Sequence, residues 1–188
     1  MSNYNYKIKM QHDEDTFVAL SHMQYDLFCR NNRIVRSALS LIFVLMGIWC
    51  GAHWWGILLI GYGCYLTTST YSAPNHTAHK LADQIRKSGQ PFPSSEYIFE
   101  NDRMRIRLLP ERQEMDPLFY SAVRRLGEDS RYFYLFKDQY GGFMIPKSAL
   151  GSQCDAFRQF VSEKCGQEFR SRKIPLIRLM EKLTRRSS

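Results

Sequence analysis

Hydrophobic residues are distributed very unevenly along this chain. The segment from Ser37 to Tyr71 is almost continuously apolar, and no Asp, Glu, Lys or Arg occurs between Arg36 and Lys80. As a single helix this segment would be roughly 50 Å long, against about 30 Å for the hydrocarbon core of a bilayer. We therefore predict two antiparallel transmembrane helices, joined by a tight turn near residues 51–53.

The proposed tip of this hairpin is rich in tryptophan. Trp49, Trp54 and Trp55 all lie there, next to His53. Indole rings prefer the headgroup boundary, so we predict that the three tryptophans mark one membrane interface. A histidine is costly in the middle of a membrane helix but suits a polar tip, which agrees with the same placement.

Basic residues flank both ends of the apolar segment. They are Arg30, Arg33 and Arg36 before it, and Lys80, Arg86 and Lys87 after it. The positive-inside rule places both flanks in the cytoplasm, which requires an even number of crossings. We predict a multi-pass membrane protein with both termini cytoplasmic. The alternatives are a buried helical hairpin in a soluble domain and a single crossing with an exported C-terminal half.

Two short elements precede the hairpin and one helix follows it. The alternating segment YNYKIKM predicts a strand, and Asp15 or Thr16 is predicted to cap an amphipathic helix through VALSHMQYDLFCRNN. After the apolar segment, HTAHKLADQIRKSG predicts a separate helix that ends at Gly89, followed by a linker.

From Glu96 onward the pattern alternates with a period of two, which indicates strands. We predict them at YIFEN, RMRIRLL, FYSAVRRL, RYFYLFK and GGFMIP, with turns near residues 101–102, 127–129 and 141–142. A helix then follows, with Ser152 and Asp155 as a capping box. Its stripe of Cys154, Phe157 and Val161 is expected to cover the open side of the sheet.

The predicted fold is therefore an α+β membrane protein. It combines a transmembrane hairpin with a cytoplasmic antiparallel β-domain that a C-terminal helix caps. The predicted segments are residues 1–33 (strand and amphipathic helix), 34–72 (hairpin), 73–95 (helix and linker), 96–166 (β-rich domain) and 167–188 (basic amphipathic tail).

Positive charge concentrates in two places besides the flanks. Arg103, Arg105 and Arg107 alternate along one predicted strand, forming either a solvated sheet face or a contact surface for phosphate or lipid headgroups. Most of the net charge of +8 follows Arg170, in a tail where Pro175 can start an amphipathic helix. The basic residues of that helix are Arg178, Lys182, Arg185 and Arg186.

The tail has two interpretations. A basic amphipathic helix binds an anionic membrane surface or a groove in a protein partner, whereas a solvated tail merely packs on the sheet. Nucleic acid is not an expected partner, because no recognised nucleic-acid fold signature accompanies the charge.

Residues suited to catalysis or metal binding are sparse. The five cysteines form no C-x-x-C pair, and His76, His79 and Asp83 lack a fourth ligand. No nucleophile elbow, phosphate loop or dinucleotide-binding glycine pattern occurs. We therefore expect no catalytic residues, no cofactor and no metal.

The order of elements resembles a known family. A strand and helix, a charge-free hairpin, the strand YFYLF, a glycine turn and FMIPKSAL before a closing helix are similar to the YcxB-like family of bacterial membrane proteins. The resemblance covers roughly Tyr4 to Cys165 and leaves out the basic tail. It implies two membrane helices beside a cytoplasmic domain of pleckstrin-homology-like (PH-like) character, and no defined activity.

These features favour a membrane-anchored interaction or regulatory protein without catalysis. We expect it to bind the lipid bilayer, together with a protein partner, a second copy of itself or anionic lipid. The alternatives are an accessory subunit of an oligomeric transporter or pore, and a toxin-immunity protein.

Overall fold

The computed structural model describes residues 5–51 and 53–171. It contains two compact units. The first, which we call the β-domain, combines the chain up to His12 with the chain from Phe92 onward. The second, the helical unit, is Asp13–Pro91.

The helical unit consists of α1 (Glu14–Phe28), α2 (Arg30–Trp49) and α3 (Trp54–Lys87). A capping box starts α1: the Asp13 carboxylate accepts a hydrogen bond from Thr16 N at 2.8 Å, and Thr16 Oγ1 accepts one from Asp13 N at 2.9 Å. The prediction that Asp15 or Thr16 is the cap is wrong, because Asp13 holds that position and Thr16 is its partner.

Helix α3 is longer than the sequence pattern predicts. It continues through Pro74 to Lys87, so HTAHKLADQIRKSG is the end of α3 and not a separate helix. Gly89, with φ of +69°, follows the end of the helix at the predicted place. Helix α3 packs against both α1 and α2.

One described helix is long and apolar enough to cross a membrane by length and composition. That helix is α2, with a mean hydropathy of 1.4. Helix α3 does not meet the same criterion, because Gly, Tyr, Thr and Ser interrupt its apolar half. The prediction of two transmembrane helices is therefore not confirmed by composition for α3.

The β-domain contains two four-stranded sheets and a helix. The first sheet has the order β1 (Tyr6–Gln11), β2 (Ser94–Phe99), β3 (Arg103–Leu109) and β4 (Gln113–Phe119). The second has the order β7 (Gly142–Pro146), β6 (Tyr132–Phe136), β5 (Arg125–Glu128) and β8 (Arg170–Ser171). Only the short β5 and β8 pair is parallel in the described residues, so the predicted α+β class with antiparallel sheets is confirmed.

The helical unit is an insertion between two paired strands. Strand β1 precedes it and β2 follows it, and the two pair from Tyr6 with Phe99 to Gln11 with Ser94. Beyond the last pair, His12 N donates a hydrogen bond to the Pro93 carbonyl oxygen at 3.0 Å. The chain therefore leaves the sheet and returns to it at neighbouring points.

The predicted strand FYSAVRRL is wrong in its central part. Strand β4 ends at Phe119, a 3-10 turn covers Tyr120–Ala122, and β5 starts at Arg125. Strand β4 itself was missed because it lies at a sheet edge, where its mostly polar, exposed residues give no alternating pattern.

Helix α4 (Cys154–Cys165) connects the two sheets through its buried stripe. The side chain of Phe157 is 0% exposed. Its ring centroid lies 5.0 Å from that of Phe99 in the first sheet and 5.4 Å from that of Phe133 in the second. The predicted capping box is wrong, because α4 follows Gln153 without a side-chain cap.

The chain returns to the second sheet after α4. Gly166, with φ of 62°, ends the helix, and Gln167 Nε2 donates a hydrogen bond to the Val123 carbonyl oxygen at 2.8 Å. The Phe169 ring lies 5.0 Å from that of Phe133. Residues 167–171, assigned to the tail by sequence, therefore contact the β-domain and end in β8.

Candidate membrane anchor and charged surfaces

Close packing of α2 on α3 depends on small residues. A Cβ atom added at Gly56 would lie 2.8 Å from the Gly47 carbonyl oxygen, and one added at Gly63 would lie 2.9 Å from the Ser40 carbonyl oxygen. Gly51 has no atom within 4 Å of such a position and has φ of +69°, so it serves the turn. Of the two glycines in the Gly47-x-x-x-Gly51 motif, Gly47 needs its missing side chain for packing on α3, whereas Gly51 approaches α3 through its carbonyl oxygen, 2.6 Å from a Cβ atom added at Gly56.

A buried polar contact joins the same two helices. The Ser40 hydroxyl donates a hydrogen bond to the Gly63 carbonyl oxygen at 2.6 Å, and Thr67 Oγ1 lies 2.6 Å from Ser40 Oγ. Such contacts between helices stabilise packing where lipid offers no alternative partner. We call Ser40, Gly47, Gly56 and Gly63 the helix seam.

The outward faces of the hairpin are apolar and uncovered. Only 11% of the most apolar window of α2 is buried. Exposed large side chains include Leu41, Ile42, Leu45, Ile48, Ile57 and Leu58. A contiguous exposed surface of this kind indicates a membrane or protein contact. The alternative, a hairpin buried in a soluble domain, requires these apolar side chains to be mostly buried.

The tip of the hairpin gathers the three tryptophans. Trp49 ends α2 and is 91% exposed, while the rings of Trp54 and Trp55 stack at 3.7 Å at the start of α3. Helix α2 is about 30 Å long at 1.5 Å per residue, close to the thickness of the hydrocarbon core. The placement of these rings at a membrane interface stays a prediction.

At the other end of α2, Arg33 is held by two neighbours. Its guanidinium forms an ion pair with Asp26 on α1, and it lies 4.9 Å from the centroid of the Tyr71 ring on α3. The Ser37 hydroxyl is 3.5 Å from that of Tyr71. Arg33 therefore links all three helices near the base of the hairpin.

The basic row on β3 is paired with carboxylates. Arg105 Nε lies 2.8 Å from Glu100 Oε1, and Arg103 Nε lies 3.1 Å from Glu100 Oε2. Arg107 Nη2 lies 2.8 Å from Glu114 Oε1 on β4. Because a carboxylate faces each of these three arginines, the structure favours a solvated sheet face over a free cationic surface.

The pKa shifts within this row agree with the ion pairing. The hydrogen bond from Arg107 lowers the pKa of Glu114, and the hydrogen bond to Glu100 raises the pKa of Arg103. An open depression of about 220 Å³ lies alongside, lined by Arg103, Arg105, Glu114, Met115 and Pro117.

A second charged cluster has no counterpart in the sequence analysis. Lys147 Nζ lies 3.3 Å and Arg158 Nη2 lies 2.7 Å from the same oxygen of Glu128. Lys147 Nζ is also 4.5 Å from the centroid of the Phe133 ring. The cluster connects β5 with α4 and the end of β7. Its members are far apart in sequence, and only the I-P-K step at a strand end marks its position.

One of the two histidines considered for metal binding, His79, pairs with a carboxylate instead. His79 Nδ1 on α3 lies 2.8 Å from Glu14 Oε1 on α1, and this hydrogen bond lowers the pKa of Glu14. Arg86 pairs with the same carboxylate. Within residues 5–51 and 53–171, no group of three or more His, Cys, Asp or Glu is placed to hold a metal ion.

The basic tail residues Arg178, Lys182, Arg185 and Arg186 lie outside the described residues. Their predicted role as a contact surface stays a prediction.

Comparison with known proteins supports the family resemblance in part. Residues 99–161 match the YcxB-like protein family. The match covers β3 to β7 and most of α4, a narrower part than the sequence resemblance, and does not include the helical unit. No curated protein and no solved structure matches this chain.

Proposed function

We propose that this protein is a membrane-anchored interaction or regulatory protein without catalytic activity. Helices α2 and α3 cross the bacterial inner membrane as a hairpin. They hold a PH-like β-domain in the cytoplasm, where it binds a protein partner or anionic lipid. Both chain termini lie in that compartment.

The pairing of β1 with β2 carries this proposal. The two strands lie on opposite sides of the helical unit in sequence, yet they share a full register from Tyr6 to Gln11. A single crossing would separate them by a bilayer, which this pairing does not permit. If α2 crosses the membrane, α3 must therefore return through it.

The composition of α3 is compatible with this return crossing. Its small residues Gly56 and Gly63 face α2, so lipid contacts its outward Ile57 and Leu58 instead. Thr68 Oγ1 donates a hydrogen bond to the Cys64 carbonyl oxygen of the same helix at 3.0 Å, which satisfies an outward hydroxyl.

The architecture of the β-domain supports the PH-like assignment. Two sheets meet over Phe157, and the helix that carries this residue follows the last antiparallel strand. The segment that matches the YcxB-like family covers this part of the chain.

The shifted pKa values of the β-domain favour structural roles over catalytic ones. Burial raises the pKa of Tyr97 to about 12 and that of the Cys165 thiol to about 11. Burial also raises the pKa of Tyr134, whose hydroxyl donates a hydrogen bond to Asp129 at 2.6 Å. These groups stay protonated at neutral pH, so they are poorly suited to act as nucleophiles or bases.

Membrane topology is tested with single-cysteine variants and a membrane-impermeant maleimide. Cys50 at the tip is exposed, and Ser121 is exposed on the β-domain. One variant keeps Cys50 as its single cysteine, and the other carries Ser121→Cys in a chain whose native cysteines are all replaced. We expect labelling of Cys50 in intact spheroplasts, and labelling of the Ser121→Cys variant only after lysis.

Each labelling result has a defined meaning. If the Ser121→Cys variant is labelled as fast as Cys50 in intact spheroplasts, the β-domain lies outside and the proposal is contradicted. Release of the wild-type chain from membranes at high pH would contradict the anchor itself. Labelling after detergent treatment confirms that each thiol is reactive in the folded protein.

The interaction role is tested by photo-crosslinking from the edge strand β4 in growing cells. Met115 and Phe119 are large apolar side chains exposed on this strand, where backbone groups are also available for pairing. We expect a photoreactive residue at either position to form one discrete adduct. Tyr140, exposed on the β6–β7 turn, is the matched control. No adduct from β4, or an equal adduct from Tyr140, would contradict a partner on this edge.

A further inference from the structure

Two of the three arginines at the base of α2 have accessible charges. Arg33 is held by Asp26 and Tyr71, whereas Arg30 and Arg36 are exposed. Among the described residues, no carboxylate forms an ion pair with either Arg30 or Arg36. Within the described part of the chain, both guanidinium groups are therefore available to an external anion.

Helical geometry directs the two side chains to either side of α3. Successive residues of an α-helix are about 100° apart, so positions three apart differ by about 60° in direction. Arg33 faces Tyr71 on α3, and Arg30 and Arg36 consequently lie about 60° to its left and right. They border the hairpin where its apolar outer surface begins.

The depth of these residues points to lipid headgroups as the source of the anion. With Trp49 at one interface, a rise of about 1.5 Å per residue puts Arg30 about 28 Å away, at the opposite interface of a core about 30 Å thick. Arg36 lies about 20 Å away on the same scale, inside the hydrocarbon edge. A long side chain at that depth extends its charged end toward the headgroups.

We propose that Arg30 and Arg36, one on each side of α3, each form a headgroup site, and that these sites select anionic phospholipids over zwitterionic ones in the cytoplasmic leaflet. Guanidinium groups bind phosphate oxygens through paired hydrogen bonds, and a lipid with net negative charge leaves that attraction uncompensated. The inference rests on the proposed membrane topology. It assigns lipid binding to the hairpin base and not to the paired arginines of β3.

The test uses the full chain reconstituted in vesicles of phosphatidylcholine with a minor share of phosphatidylglycerol. Spin-labelled forms of both lipids report their relative association with the protein by electron spin resonance. We expect the wild type to prefer phosphatidylglycerol by about five-fold or more, and the preference to fall with added salt. The double variant R30Q/R36Q should lose it.

Matched variants make the assignment specific. R124Q removes one exposed β-domain arginine that has no described ion pair, and it should retain the preference. R30K/R36K keeps both charges and should retain most of it. Inorganic phosphate at millimolar concentration should not abolish it, because the sites recognise phosphate held at the membrane depth.

The outcomes separate this inference from the proposed function. If R30Q/R36Q still associates with the vesicles but shows no lipid preference, the headgroup sites and the proposed membrane anchor are both supported. If the wild type associates with vesicles without any lipid preference, the headgroup sites are contradicted but the membrane anchor is not. The same holds if R30Q/R36Q keeps the preference. If R124Q loses as much preference as R30Q/R36Q, or phosphate displaces the lipid, the headgroup sites are also contradicted. If the wild type does not associate with vesicles, the proposed function fails first.

Discussion

Replacing Phe157 by alanine is expected to lower the free energy of unfolding of the β-domain by about 3–5 kcal/mol. Its ring is fully buried and contacts Tyr6, Phe99 and Phe133, which come from both sheets. Truncation leaves a cavity that both sheets line, and neither can close it without moving away from the other. Hydrogen exchange of the amide groups of β6 in the full chain measures the loss.

Phe160→Ala on the same helix is the matched control. The Phe160 ring is only half-buried, with centroids 5.6 Å from Tyr6 and 6.0 Å from Tyr120. Its truncation should cost about 1–2 kcal/mol, because less apolar area returns to water. Equal losses for the two variants would contradict the assignment of Phe157 as the residue that joins the sheets.

Replacing glycine by alanine at two nearby positions of α3 is expected to change the free energy of unfolding in opposite directions. Gly63→Ala places a methyl group 2.8 Å from Val44 Cγ2 and 2.9 Å from the Ser40 carbonyl oxygen, so α2 and α3 must separate. We expect a loss of about 1–3 kcal/mol in the free energy of unfolding. Gly61→Ala meets no atom within 4 Å and should gain about 0.5–1 kcal/mol from reduced backbone entropy.

Denaturation by sodium dodecyl sulfate in mixed micelles, followed by tryptophan fluorescence, measures both variants. All three tryptophans lie at the hairpin tip, so the signal reports the helical unit. A shift of the same sign for Gly61→Ala and Gly63→Ala would show that the helices do not pack through the helix seam. The wild-type contact between Ser40 and Gly63 should also disappear in Gly63→Ala.

The insertion of the helical unit into a β-sheet restricts the membrane arrangements that the proposed function allows. Because β1 and β2 pair throughout, the two ends of the helical unit are bound to the same sheet. Under the proposed topology, the hairpin could not change from two crossings to one without breaking that sheet. Charge asymmetry alone biases topology in most membrane proteins, whereas strand pairing would add a structural restraint to the topology proposed for this protein.

Local chemistry was sufficient to predict some of the elements. The alternation in YNYKIKM predicted β1, since a half-buried strand has a period of two, and the aromatic run in RYFYLFK predicted β6, which is buried from Phe133 to Phe136. Gly89 marked the end of a helix, because its positive φ suits a C-terminal cap. Predictions of caps were less accurate at Asp13 and Gln153, where the choice among adjacent polar residues depends on packing of the helix.

Charge roles were the least predictable part of the site. The row of Arg103, Arg105 and Arg107 was compatible with a free basic face, but Glu100 and Glu114 pair with it. A sequence shows which residues carry charge, not which opposite charges lie within 4 Å. Ion pairs between separate strands depend on register, which the bulge between Met104 and Ile106 also alters.

By itself, the sequence determined where the apolar segment lies, that most of the β-domain would be built from alternating strands, and which helix stripe would be buried. These properties depend on residue type and spacing over a few turns or strands. Tertiary structure alone decided that β1 pairs with β2 across the whole helical unit, that Gly63 needs its missing side chain for helix packing whereas Gly51 does not, and that no described carboxylate pairs with Arg30 or Arg36. Each of these depends on residues distant in sequence being brought together, and residue patterns carry little information about such distances.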